Sequence, residues 1–73
     1  MKVKKLLSYS EFDNGVIVRI YEYNNFLDKY EVICYGRGNE LLLIADTKFL
    51  NNNVDYYDIS YQRSTIYFNI YLK

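Results

Sequence analysis

The chain runs in two hydrophobic rhythms. Near the start, Val3, Leu6 and Leu7 recur at i, i+3 and i+4 among lysines, which predicts a short helix over Lys2 to Phe12 with one apolar stripe. About two turns of helix are marginal alone in water, so the stripe has to be held against a sheet. Asp13-Asn14-Gly15 supplies the stop. From Val16 to Tyr23 the period becomes two: Val16, Val18 and Ile20 alternate with Ile17, Arg19 and Tyr21, the second set marking the wetter face. Turn formers at Asn24 to Asp28 lead into Lys29 to Tyr35, where Tyr30, Val32 and Cys34 alternate with Glu31, Ile33 and Tyr35, completing a hairpin.

Gly36-Arg37-Gly38-Asn39 breaks the pattern. Glu40 to Ile44 reads as a short strand, and Asp46 caps a helical turn through Leu50 that the asparagines at 51 to 53 end. A second hairpin follows, with Val54 to Ser60, a turn around Tyr61 to Ser64, and Thr65 to Leu72. In its last strand Ile66, Phe68, Ile70 and Leu72 face one way and Tyr67, Asn69 and Tyr71 the other. The expected fold is a single α+β domain over residues 1–73. It has an antiparallel or mixed sheet of four to five strands built from two hairpins, with a short N-terminal helix and a helical turn on one face.

Length and composition then narrow the function. With 73 residues the core suffices for one fold, with no room for a second lobe or deep cleft. Half the residues are hydrophobic and nine basic groups balance nine acidic ones, so the chain is expected to fold. No apolar run approaches a membrane span and no signal-peptide core follows Lys2, Lys4 and Lys5, so the expected location is the cytoplasm. The absence of histidine removes imidazole bases, triads and imidazole metal sites. Asp55 with Asp58, or Glu11 with Asp13, would need a desolvated pocket to work as paired acids, and they read as solvated charges. Cys34, mid-strand and without a base to activate it, reads as a packing residue, and a lone cysteine forms no internal disulfide. The Gly36 to Asn39 loop lacks the spacing and lysine of a phosphate loop, and the N-terminal lysines suit a solvated helix face. The chain is expected to be no enzyme and to need no cofactor or metal.

Ten tyrosines are the anomaly. Tyr57, Tyr61, Tyr67 and Tyr71 are expected to share the face opposite the apolar side chains, with Tyr21 and Tyr23 extending it and Arg19 and Arg63 adding charge. One reading is simply good strand formers with wet hydroxyls, enriched by codon bias. Tyrosine, asparagine, isoleucine and lysine abound while glycine, alanine, arginine and proline are scarce, the mark of an AT-rich genome such as those of some bacteria and their phages. The other reading is a recognition surface, since tyrosine offers a rigid contact area with a polar tip.

Four segments together, Lys2-Val3-Lys4-Lys5-Leu6-Leu7, Val16-Ile17-Val18-Arg19-Ile20-Tyr21, Phe49-Leu50-Asn51-Asn52-Asn53-Val54 and Ile66-Tyr67-Phe68-Asn69-Ile70-Tyr71, resemble small proteins of AT-rich phages and mobile elements, among them anti-CRISPR inhibitors of Cas nucleases. The resemblance implies a bacterial Cas effector or other defence protein as partner, bound by steric occlusion or conformational locking in the host cytoplasm. The balanced charge departs from the acidic DNA mimicry of many such inhibitors. Two other functions compete with this one. A single-stranded nucleic-acid binder would stack bases on tyrosines beside Lys2, Lys4, Lys5, Arg19 and Arg63. A self-associating structural protein would pair Thr65 to Leu72, as an open edge, with its copy in a homodimer.

Overall fold

Both expected hairpins form, and the computed structural model describes residues 1–9, 15–37, 40 and 50–73 of the chain. Helix α1 spans Val3–Tyr9. Strands β1 (Val16–Asn24) and β2 (Lys29–Arg37) make the first hairpin, and β3 (Val54–Gln62) and β4 (Thr65–Leu72) the second. The expected strand over 40–44 and the helical turn over 46–50 lie outside the described residues, apart from Glu40 and Leu50, as do the last residues of the expected helix, 10–12, and parts of the two expected breaks, 13–14 and 38–39.

The four strands form one mixed sheet in the order β2-β1-β4-β3. Each hairpin is antiparallel, and the two meet through a parallel β1·β4 pair with Val18 opposite Phe68 and Ile20 opposite Ile70. A parallel pair requires a long connection, here filled by β2, the segment after it and β3. This order corrects the expectation that Thr65 to Leu72 is an open edge. That strand is interior, because its apolar positions are wanted beside those of β1, and among the described residues the edges are β2 and β3.

Directly opposed residues in a sheet point to the same face, so the register sorts every side chain. On the inner face Val18, Ile20, Phe68, Ile70 and Leu72 are buried with Val3, Leu6 and Leu7 of α1 and with Leu50, and Val16, Ile33, Cys34 and Val54 pack around them. The helical stripe is therefore the one read from the sequence. Burying each of these large aliphatic side chains contributes about 1.5–3 kcal/mol, which is what holds a two-turn helix in place. The N-terminus is clipped to the sheet by backbone bonds from Val3 N to Asn52 O (3.0 Å) and from Val54 N to Met1 O (2.7 Å). Among the described residues no helix is long and apolar enough to cross a membrane.

A tyrosine face built by two bulges

On the outer face β1 presents Ile17, Arg19, Tyr21 and Tyr23, and β4 presents Tyr67, Asn69 and Tyr71, as the alternation in the sequence predicts. What β2 and β3 add depends on two irregularities. In the first hairpin Ile20 opposes Cys34 but Tyr21 opposes Val32, so Ile33 is an extra residue in a bulge. The bulge reverses the alternation of β2. Cys34 points inward with Ile20, while Tyr30, Val32 and Tyr35 all point outward, opposite Tyr23, Tyr21 and Arg19. Simple alternation had put Tyr30 with Cys34 and Tyr35 on the other side. In the second hairpin Asp55 is the extra residue: Val54 opposes Leu72 and packs on the core, yet Tyr56 opposes Tyr71 on the outer face. Seven tyrosines, at 21, 23, 30, 35, 56, 67 and 71, thus share one surface.

Tyr57 and Tyr61 do not join them. They oppose Ile70 and Ile66, which places both on the inner-face side of β3, where Tyr57 stacks on Phe68 at 5.3 Å. The expected common face for Tyr57, Tyr61, Tyr67 and Tyr71 is corrected accordingly. The turn has two residues, Arg63 and Ser64, and that length puts odd positions of β3 opposite even positions of β4. Arg63 is exposed at this tip, away from the outer-face centre.

The outer face has two connected parts. Tyr21, Tyr71 and Tyr56 stack in a row across β1, β4 and β3, with ring centroids 4.7 and 4.4 Å apart and planes within 16°. Tyr30 meets Tyr71 and Tyr56 edge-on at 5.0 and 6.2 Å, and Tyr23 meets Tyr30 edge-on at 5.3 Å. The Tyr23 hydroxyl donates to Asp28 at the end of the first hairpin loop. Burial in the cluster raises the pKa of Tyr30 and Tyr71 above the ordinary phenol value. Tyr56 and Asp55 add to the effect at Tyr30, and Asp58, Tyr21 and Tyr56 at Tyr71.

Beside this row, the Arg19 guanidinium lies 3.9 Å from the Tyr67 ring centroid and 5.8 Å from that of Tyr21, in cation–π range of both. Its Nε donates to Asn69 Oδ1 (2.8 Å) and its Nη2 to Ser60 Oγ (3.3 Å). Asn69 Nδ2 in turn donates to Asp58 Oδ1 (2.8 Å) and Ser60 Oγ (3.1 Å). Asn69, only 3 % exposed, is the polar hub linking the arginine to the aspartate. Tyr30, Tyr35, Tyr56, Asp58, Ser60 and Asn69 were not among the binding residues expected from the sequence. The two bulges and the two-residue turn that bring most of them here leave no strong local signal.

Cys34 is half-buried, and burial pushes its thiol pKa up, away from the thiolate a nucleophile needs. Among the described residues no group of three or more Cys, Asp and Glu side chains is placed to hold a metal ion. No family model matches this sequence, and no curated protein or solved structure matches it either.

Proposed function

We propose that this protein is a non-enzymatic binding module of phage or mobile-element type that docks its tyrosine face on a bacterial defence nuclease, such as a Cas effector, in the host cytoplasm. It needs no cofactor for this, and it acts by covering the nuclease or locking its conformation. The observation that carries the reading is the outer face itself, seven tyrosines around a fixed arginine. Rigid aromatics with polar tips and a preorganised arginine are the residue types that dominate binding energy at protein interfaces. The partner class comes from the resemblance to anti-CRISPR inhibitors.

The rival reading, single-stranded nucleic acid stacked on the tyrosines, is disfavoured by the geometry of the rings. Base stacking needs open ring faces. In the row Tyr21, Tyr71 and Tyr56 the faces cover one another, and one face of Tyr67 is covered by Arg19. The stacked row therefore offers bases few free ring faces, while its ring edges and hydroxyls suit a polypeptide partner. Arg19 is also tied through Asn69 to Asp58, so the centre of the face carries both signs of charge.

The test pairs cleavage assays on a panel of purified Cas effectors with co-elution by size exclusion, using Tyr35→Ala and Tyr56→Ala as controls. These two rings are 71 % and 46 % exposed, so their removal spares the core. The expected outcome is inhibition and co-elution with one effector, weakened about 10-fold or more by either substitution, as for an interface hot spot. If no effector binds or is inhibited, the reading fails. Oligonucleotide binding that falls steeply with salt would put the nucleic-acid reading in its place.

A further inference from the structure

The two edges of the sheet are guarded differently. Along β2 stand Lys29, Glu31 and Arg37, with a bulge at Ile33, the devices that keep an exposed edge from pairing with another chain. The strand β3, VDYYDISYQ, has no lysine, arginine or proline, and its bulge sits at its very start, at Asp55. Met1 and Lys2 cover that start through Val54 N to Met1 O and the Lys2·Asn53 bridge. The remaining seven positions, Tyr56 to Gln62, pair with β4 on one side, and among the described residues no strand pairs with their other side.

From this edge we infer that the protein forms a two-fold dimer by antiparallel pairing of β3 with β3 of a second copy, centred on Ile59. The centre follows from the geometry, because Ile59 is the midpoint of the open stretch and antiparallel pairing that uses all of it must oppose Ile59 to itself. That register puts Tyr57 opposite Tyr61 of the second copy on the inner-face side. There the two tyrosines and Ile59, 67 % exposed in the single chain, come together. On the outer side it puts Asp58 opposite Ser60 and Tyr56 opposite Gln62, so no like charges meet. The Ser60 oxygen accepts from both Arg19 and Asn69, which leaves its hydroxyl proton to donate to Asp58 of the other copy. Centring on Asp58 instead would set two carboxylates face to face.

The two-fold axis stands perpendicular to the sheet, so the dimer is one eight-stranded sheet with both tyrosine faces on the same side. The surface available to a partner is doubled and symmetric.

Sedimentation equilibrium on the purified chain tests the dimer, and cysteine cross-linking tests the register. The mass is expected to rise from 8.8 kDa toward twice that value with concentration, and Ile59→Lys, at an exposed position, is expected to hold it at the monomer with unchanged far-UV dichroism. In a Cys34→Ala background, Ile59→Cys is expected to form an intermolecular disulfide under mild oxidation, since directly paired Cα atoms lie about 4.5–5.5 Å apart, within disulfide reach. Tyr61→Cys alone should cross-link poorly, yet link readily to Tyr57→Cys when the two chains are mixed. A chain that stays monomeric at high concentration, or cross-linking that ignores this pairing, overturns the proposal. Neither readout involves a nuclease, so the result stands apart from the proposed function.

Discussion

Asn69 shows how much can rest on one side chain. Its amide accepts from the Arg19 guanidinium and donates to Asp58 and Ser60, all on a face that would otherwise bring a cation and an anion together without a shared partner. Asn69→Ala therefore leaves the half-buried Arg19 Nε without its acceptor, and is expected to lower stability by about 1–3 kcal/mol in urea unfolding, well beyond Ser60→Ala, which within one chain removes an acceptor but leaves the bonds of Asn69 to Arg19 and Asp58 in place. The tyrosines make a prediction in pH. Tyr30 and Tyr71 have pKa values raised in the folded chain, so the folded state holds their protons more tightly than the unfolded one. The stability they contribute is full below the ordinary phenol value of about 10 and is lost as pH rises through the folded values. Spectrophotometric titration near 295 nm should show a fraction of the ten phenols ionising late, together with a fall in thermal midpoint above pH ~10. Phenols that all ionise together at the ordinary value would contradict the packed cluster.

At the scale of elements, the two hairpins differ in how well their turns suit them. In the first, Asn24 Oδ1 accepts from the backbone N of Phe26 and Leu27 (2.9 and 3.1 Å), and Asp28 takes the left-handed position, φ 53°, that its short polar side chain tolerates. In the second, Arg63 and Ser64 are both left-handed, φ 49° and 64°, where asparagine and glycine are preferred. Replacing the pair by Asn-Gly is expected to stabilise the protein by about 1 kcal/mol in chemical unfolding, with no change in fold. The same turn explains why the sequence was only partly legible. Strand positions, the helical stripe and the outward set Tyr21, Tyr23, Tyr67 and Tyr71 follow from local period. The face of Tyr57 and Tyr61 depends on the length of a turn whose Arg-Ser carries no hairpin signature. Tyr30, Tyr35 and Tyr56 depend on single extra residues at Ile33 and Asp55, which look like any other strand residue until their partners are known.

In the whole molecule the hairpins are joined along the parallel pairing of β1 with β4, between residues such as Arg19 and Asn69 that are 50 positions apart. Nothing local announces this join, which is why strand order was not legible. An isolated hairpin is marginal in water, and here each one has only half of a covered face. The inner layer of α1 and Leu50 and the outer layer of tyrosines both span the β1·β4 seam, so each layer needs both hairpins present. Ile20 and Ile70, opposed on the seam and fully buried, are where that dependence is most concentrated. Ile70→Ala is accordingly expected to cost about 2–5 kcal/mol, a large share of what a domain this small possesses. The loss should appear as one transition, with far-UV dichroism and tyrosine fluorescence melting together, because neither half can keep its cover when the other leaves. Two separated transitions, with the first hairpin surviving the second, would mean that each hairpin carries a core of its own, contrary to the single cluster that α1, β1 and β4 share. Phe26→Ala, at the fully exposed tip of the first hairpin, is the matching control and should leave the midpoint where it was.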